Sequence, residues 1–129
     1  MSVSILVVDD EPDVAELFRQ RFRRETRQGT YVVHFANSGE QALSKLSGGI
    51  EPALIVLLSD INMPGMDGLQ LLAEIKQGWP NLPVMMVTAY SDEERRRRAA
   101  EHGATEFISK PVDFDHLKTQ LRALAGGAG

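Results

Sequence analysis

Acidic, hydroxyl and amino side chains stand at the ends of four short apolar runs in this sequence. Asp9 and Asp10 follow VSILVV, Asp60 follows ALIVLLS, Thr88 closes PVMMVT, and Lys110 follows TEFIS. Short apolar runs bounded by turn residues are typical of buried parallel strands, and ligands bind at the carboxyl ends of such strands. We therefore expect three carboxylates, one hydroxyl and one ammonium to meet in a single cleft.

Three carboxylates in one cleft require compensation. Two unit charges about 4 Å apart repel by roughly 4 kcal/mol at an effective dielectric constant near 20, so either a proton is retained or a cation is bound. The sequence contains no cysteine, and an all-oxygen ligand set favours a hard divalent ion, with Mg²⁺ as the best candidate. An aspartate beside such an ion and an ammonium can attack phosphorus and become an acyl phosphate.

Each of these residues also has an ordinary structural interpretation. Asp60 and the Asp9-Asp10 pair could cap turns, Thr88 could be a simple strand-end hydroxyl, and Lys110 could be a solvated charge. Their convergence, and not any one residue, favours chemistry. The four consecutive arginines at 95–98 point all round a helix, which predicts a solvated face, with partner docking as the minority interpretation.

The sequence predicts five alternating strand–helix units in one domain. The strands are predicted at 3–8, 31–36, 53–59, 83–88 and 105–109. The helices are predicted from Pro12 to about 28, from the cap at 37–38 to 47–49, from about 69 to 78–80, from a capping box at 91–94 to 102–103, and from Asp113 through Leu124. This pattern predicts an α/β fold: a five-stranded parallel sheet of order 2-1-3-4-5 with helices on both faces, a flavodoxin-like (βα)5 arrangement.

Length and composition exclude several classes of protein. The 129 residues suit one domain, predicted at 1–125 with a flexible tail at 126–129. No apolar run is long enough for a signal peptide or a membrane span, so we expect a cytoplasmic protein without membrane contact. The net charge of −4 gives no reason to expect direct nucleic-acid binding, and no phosphate-binding glycine motif follows a strand.

Four motifs together resemble one known family. VVDDEP at 7–12, SDINMPGMDG at 59–68, VTAYSD at 87–92 and FISKP at 107–111 match, in order and spacing, the CheY-like receiver domain of two-component response regulators. The resemblance covers about residues 3–124. No single motif is decisive, but four in the correct order are very specific.

The resemblance implies a phosphoacceptor and a metal site. Asp60 would receive a phosphoryl group from a sensor histidine kinase or a histidine phosphotransfer protein. Asp10 and Asp60 would bind Mg²⁺ directly with the backbone carbonyl of Asn62, and Asp9 would act mainly through a water. The domain would be a signalling module, not an enzyme, although it would promote its own phosphorylation and dephosphorylation.

The resemblance also implies a switch. Lys110, joined to Pro111 by a cis peptide bond, would pair with the phosphoryl group, and Thr88 would hydrogen-bond to it. Phe107, where many relatives have tyrosine, would follow Thr88 inward by packing alone. The surface of the fourth predicted helix, the fifth strand and the fifth helix would then report the change to a downstream target or output domain, with homodimerisation through the same surface as an option.

Asn62 and Tyr90 lie two residues beyond Asp60 and Thr88. The resemblance implies that they flank the path of the attacking water, so we expect them to set the lifetime of the phosphorylated state, with a bulky Tyr90 slowing hydrolysis. Seven residues separate Pro52 from Asp60, where receivers more often have about five. The sequence therefore does not fix the loop and the register at the entry of the third strand, whereas its exit is unaffected.

Two other functions remain to be weighed. The first is a phosphate-independent module that docks a partner without turnover, and the intact set of Asp10, Asp60, Thr88 and Lys110 argues against it. The second is a metal-dependent phosphatase with an aspartyl nucleophile. Such enzymes usually carry a second acid two residues after the nucleophile, and position 62 is Asn.

Overall fold

The computed structural model describes residues 2–89 and 92–126. The strands form one parallel sheet in the order β2-β1-β3-β4-β5, which confirms the predicted topology. Their bounds are β1 Val3–Val8, β2 Tyr31–Ala36, β3 Leu54–Asp60, β4 Val84–Thr88 and β5 Glu106–Ser109. The helices are α1 Pro12–Arg21, α2 Arg23–Arg27, α3 Gly39–Gly48, α4 Gly68–Gly78, α5 Glu93–Glu101 and α6 Phe114–Gly126.

Helices cover both faces of the sheet, because successive strand residues point to opposite sides. Leu6 and Leu57 face a core completed by α3, α4 and α5. Ile5 and Val56 face a second core completed by α1 and α6. Because all five strands are parallel, the strand ends that carry the polar side chains share one edge of the sheet.

The prediction of one continuous first helix from Pro12 to about residue 28 is wrong, because the structure has two helices there, α1 and α2. The helix breaks at Phe22, whose backbone lies at φ −103° and ψ 13°. The Phe22 ring is buried and lies 6.0 Å, centroid to centroid, from both Phe18 and Tyr31. A break that seats an aromatic ring leaves the apolar periodicity intact, which is why the pattern did not reveal it.

The entry of β3 takes up one of the extra residues before Asp60. Ser4 pairs with Leu54 and Ile5 pairs with Val56, so Ile55 is passed over in a local irregularity of the register. Pairing is regular from there to the strand's exit. One residue of the longer segment is therefore taken up at the entry of the strand, and the register beside Asp60 is regular.

The fourth predicted helix has its N-cap one residue later than predicted. Helix α5 begins at Glu93 with Asp92 at its N-cap, and the Asp92 side chain makes no capping bond. Ser91, the predicted cap, lies outside the described residues. By contrast, Asp113 Oδ1 accepts the backbone N–H of His116 at 3.1 Å, as expected for the start of the last helix.

The predicted tail at 126–129 lies outside the described residues except for Gly126, which ends α6. The Lys110–Pro111 peptide bond is cis, as the resemblance implies. Among the residues that the structure describes, no helix has the length and apolar character needed to cross a membrane.

Candidate functional site

Asp60 is the last residue of β3 and lies at the centre of the cleft. It is only 4% exposed. Its Oδ1 accepts the backbone N–H of Asn62 at 3.1 Å, and its Oδ2 accepts a hydrogen bond from Lys110 Nζ at 2.9 Å. Both carboxylate oxygens are therefore oriented, one by the loop that follows β3 and the other by the loop that follows β5.

Asp9 and Asp10 approach Asp60 from the exit of the neighbouring strand β1. Asp9 is half-buried and Asp10 is exposed. Asp9 Oδ1 accepts the backbone N–H of Glu11 at 2.9 Å, which fixes the turn into α1. One carboxylate oxygen from each of Asp9, Asp10 and Asp60 lies within 4.8 Å of the others. The predicted convergence of the three acids is thus present in the fold.

This donor set fits a hard divalent cation. It consists of oxygen atoms alone, it is open to solvent on the side of Asp10, and its charges are too close to remain uncompensated. Burial, together with the negative charges of Asp60 and Asp10, raises the pKa of Asp9 to about 6, against the lowering effect of the backbone hydrogen bond from Glu11. Burial is the largest cause of this raised pKa and the neighbouring carboxylates add to it, so a bound cation would favour the charged form of Asp9.

Lys110 supplies the positive charge of the cleft. Burial disfavours the charged form of Lys110, but the hydrogen bond and charge of Asp60, with the charges of Asp9 and Glu11, outweigh it and raise the pKa of the lysine. The Lys110 backbone N–H donates to the carbonyl of Thr88 at 2.8 Å, which ties the end of β5 to the end of β4. The ammonium is therefore held beside Asp60 by both its main chain and its side chain.

Thr88 ends β4 and is buried. A cavity of about 120 Å³ lies beside it, lined by Thr88, Ala89, Glu93, Arg96 and Ser109. Phe107 pairs with Met86 on the adjacent strand, and Ser109 pairs with Thr88. Because residues two apart on a strand share a face, Thr88 and Phe107 point to the same side of the sheet.

Phe107 is half-buried, and the Arg96 guanidinium carbon lies 5.0 Å from the centre of its ring. Arg96 lines both the small cavity beside Thr88 and a larger surface groove of about 570 Å³ beside Phe107. Arg96 therefore lies beside both Thr88 and Phe107, the two residues that the resemblance implies as the switch.

Two residues of the site were missed from the sequence. Arg95 donates a hydrogen bond to Asn62 Oδ1, and the Asn62 side-chain amide donates to Asp92 Oδ1. The other carboxylate oxygen of Asp92 accepts the backbone N–H of Ala89 at 2.9 Å. Only the capping pattern around Asp92 hinted at a local role, and an arginine within a run of four carries no signal of a particular partner. Tyr90 lies outside the described residues.

A second cavity, of about 250 Å³, extends from the cleft between β1 and α1. Asp60 and Lys110 lie at its polar end, and Val14 and Phe18 of α1 contribute to its apolar wall. The phosphoacceptor candidate therefore sits at the mouth of a cavity whose interior excludes most polar groups.

Comparison with known proteins agrees with this geometry. The family model described as "Response regulator receiver domain" matches residues 5–122. The transcriptional regulatory protein ZraR of Escherichia coli (strain K12) is 38% identical over 125 residues, which are 96% of this chain and 27% of that protein. The sensor histidine kinase RcsC of Salmonella typhi is 40% identical over 121 residues, which are 94% of this chain and 12% of that protein.

The solved structures lead to the same family. The crystal structure of the receiver domain of NtrX from Brucella abortus has a TM-score of 0.78 and 34% sequence identity, with 94% of this chain and 98% of that chain covered. This chain spans less than a third of ZraR and of RcsC, so it corresponds to one domain of each. Since the family match covers residues 5–122 of 129 and the fold is CheY-like, the chain belongs to the response regulator receiver domains of two-component signalling.

Proposed function

We propose that Asp60 accepts a phosphoryl group from a phosphohistidine in a Mg²⁺-dependent reaction. The observation that supports this is the position of Asp60, which lies within 4.8 Å of two other carboxylates and 2.9 Å from the Lys110 ammonium. In the transfer, an Asp60 oxygen forms a bond to phosphorus while the nitrogen–phosphorus bond of the donor breaks. The bonding electron pair leaves with the imidazole nitrogen, which takes a proton from solvent.

The residues of this chain orient and stabilise the transferring group. The backbone N–H of Asn62 and the ammonium of Lys110 fix the carboxylate before the donor arrives, which is the kind of preorganisation that lowers a barrier. Lys110 then neutralises charge on the phosphoryl oxygens, and the Thr88 hydroxyl donates to one of them. Ala89, with its single methyl group, leaves the approach to Asp60 open.

Asp10, Asp60 and the backbone carbonyl of Asn62 would hold Mg²⁺, with Asp9 contributing through a water. When bound there, the ion supplies positive charge to the phosphoryl oxygens.

The consequence of phosphorylation is a shift between two pre-existing states. Thr88 moves toward the phosphoryl group, and Phe107 turns inward on the same face of the sheet. The surface formed by α5, β5 and α6 corresponds to the fourth predicted helix, the fifth strand and the fifth predicted helix. It reports the change to a target protein, an output domain or a second copy of the chain. Asn62 and Tyr90 set how long the phosphorylated state lasts.

Intact mass after incubation with a small acyl-phosphate donor tests the proposal. One added phosphoryl group is expected on the natural chain in the presence of Mg²⁺ and none in the presence of a chelator. Asp60→Asn should abolish the adduct, and Asp115→Asn, which removes an exposed acid outside the cleft, should retain it. No adduct under conditions that label another receiver domain would instead favour a phosphate-independent docking module.

A further inference from the structure

Asn62 connects the phosphoacceptor to helix α5. Its backbone N–H donates to Asp60 Oδ1 at 3.1 Å, while its side chain reaches the opposite way, to Arg95 and Asp92. The amide oxygen accepts from the Arg95 guanidinium, and the amide nitrogen donates to the Asp92 carboxylate. Each end of the amide is bonded to a partner of opposite polarity, so the amide plane has one preferred orientation.

The partner residues are themselves fixed. Asp92 is buried, and its second oxygen accepts the Ala89 N–H at 2.9 Å, in the loop that follows β4. Arg95 lies in the first turn of α5, two residues after the first helical residue Glu93. Hydrogen bonds in which one partner is charged are shorter and stronger than neutral ones, so this pair holds the amide more firmly than solvent would.

We propose that Arg95 and Asp92 are positioning residues that hold the Asn62 amide away from the hydrolytic water and so prolong the phosphorylated state. This inference rests on the proposed function of Asp60. In hydrolysis, the oxygen of a water forms a bond to phosphorus and the bond from phosphorus to the Asp60 oxygen breaks. The electron pair returns to the Asp60 carboxylate, and the water's proton passes to the phosphate product or to solvent.

The Asn62 amide oxygen could accept a hydrogen bond from that water and direct it at phosphorus. While Arg95 occupies the oxygen and Asp92 fixes the nitrogen, the amide is not free to turn and do so. Loss of Arg95 releases the oxygen. Because α5 belongs to the proposed output surface, a partner that engages Arg95 would then change the lifetime of the signal through the same amide.

Decay of the phosphoryl group on Asp60, followed by intact mass after removal of the donor, tests this role. Arg95→Ala is expected to shorten the half-life by roughly fivefold, the effect of about 1 kcal/mol on the barrier. Arg95→Lys, which keeps a charged donor, should restore most of the lifetime. The rate of phosphorylation from the acyl-phosphate donor should stay within about twofold, because Arg95 does not contact Asp60.

Two matched variants separate positioning from a general effect of the helix. Arg98→Ala removes an arginine of the same helix that makes no side-chain hydrogen bond or ion pair with residues 2–89 and 92–126, and it should leave the half-life unchanged. In an Asn62→Ala background, Arg95→Ala should have no further effect, because the amide on which it acts is absent. A shorter half-life for Arg95→Ala in that background, or equal decay of Arg95→Ala and the natural chain, would overturn the proposal.

The side-chain NH₂ signals of Asn62 in the metal-free, unphosphorylated protein give an independent readout. They should shift in Arg95→Ala and remain in place in Arg98→Ala. Unmoved signals in Arg95→Ala would mean that the bridge does not form in solution, which overturns the inference whatever the chemistry of Asp60. If the natural chain takes no phosphoryl group at all, the proposed function and the lifetime role fail together, and the NH₂ signals still decide the bridge.

Discussion

Lys110 Nζ lies 2.9 Å from Asp60 Oδ2, although the two residues are 50 positions apart in the sequence. The pair is asymmetric, because the side chain of Asp60 is 4% exposed and that of Lys110 is 39% exposed. A buried carboxylate depends on its partner far more than a solvated ammonium does. Before any phosphoryl group arrives, Lys110 therefore compensates the charge that the fold has placed inside the cleft.

Lys110→Ala is expected to slow labelling of Asp60 by an acyl-phosphate donor about a hundredfold, since one charged donor to the transferring group is lost. The metal-free variant should also lose about 1–2 kcal/mol in its free energy of unfolding at neutral pH, because Asp60 is left without its counter-ion. Labelling rate by intact mass and urea unfolding in a chelator measure the two effects.

The stability loss has an internal control. Replacing Asp60 by Asn removes the uncompensated charge, so the double variant Asp60→Asn/Lys110→Ala should recover most of the loss. Equal destabilisation by Lys110→Ala in the presence and absence of the Asp60 carboxylate would mean that the lysine acts by packing alone.

Gly68 sets how closely α4 approaches the backbone of Asp60 and Ile61 at the end of β3. A Cβ at this position would lie 2.6 Å from the backbone oxygen of Asp60 and 2.7 Å from the Ile61 Cα. Neither backbone atom can yield without moving the end of β3. Gly68→Ala should therefore cost about 2–3 kcal/mol in the free energy of unfolding and slow phosphorylation, as measured by urea unfolding and intact mass.

The other end of the same helix supplies the control. A Cβ on Gly78 would have no neighbour within 4 Å. Gly78→Ala should be neutral or stabilising by up to about 1 kcal/mol, because alanine is the better helix residue. A Gly68→Ala protein as stable as Gly78→Ala would show that β3 and α4 are not in contact as described.

Asp9 predicts a pH dependence of stability in the metal-free protein. Its pKa is about 6 in the fold, against an ordinary value of 3.8, so the folded chain holds this proton more tightly than the unfolded chain. The contribution of Asp9 to stability is thus complete below about pH 4 and is lost as the pH rises to about 6. Asp9→Asn should stabilise the protein at pH 7.5 by about 1 kcal/mol, after discounting for the solvent exposure of this side chain.

The gain from Asp9→Asn should be much smaller at pH 4, where the carboxyl of the natural chain is protonated in the folded state and close to its titration midpoint in the unfolded state. Urea unfolding in a chelator at the two pH values measures it. Asp13→Asn, which removes an exposed acid from the first turn of α1, should give no gain in stability at pH 7.5, because a negative charge at a helix N-terminus is favourable. A gain from Asp9→Asn that is the same at both pH values would contradict the assignment to this proton.

The sequence predicted the sheet and the meeting of Asp9, Asp10, Asp60 and Lys110 for a simple physical reason. Buried parallel strands are continuous apolar runs, and whatever polar residue ends such a run must appear at the same edge of the sheet. Topology alone brings the cleft together, so no side-chain detail was needed. Residue types at strand ends were sufficient.

Features that depend on side-chain geometry escaped prediction. The break at Phe22 preserves the apolar spacing of a continuous helix, and the irregularity at Ile55 depends on how a neighbouring strand is paired. The capping pattern predicted Ser91 as the N-cap of the helix that the structure shows as α5, whereas Asp92 is the N-cap. The Asp92 carboxylate accepts hydrogen bonds from Ala89 and Asn62. Arg95 resembles its three neighbours in type, and only the three-dimensional position of Asn62 distinguishes it.

Thr88 and Phe107 are the two residues of the proposed switch. They point to the same side of the sheet, and Arg96 lies over the Phe107 ring at 5.0 Å, so Phe107 must leave this contact to turn inward. Without a tyrosine hydroxyl, the inward state is favoured only by packing and by the vacated space beside Thr88.

We therefore expect Thr88→Ala to accept the phosphoryl group while the amide shifts of β5 and α5 on phosphorylation fall by about half or more. Thr119→Ala, an exposed threonine of α6, is the control and should show the full shifts. Full shifts in Thr88→Ala at equal labelling would mean that the signal leaves Asp60 by another route, such as the Asn62–Arg95 contact.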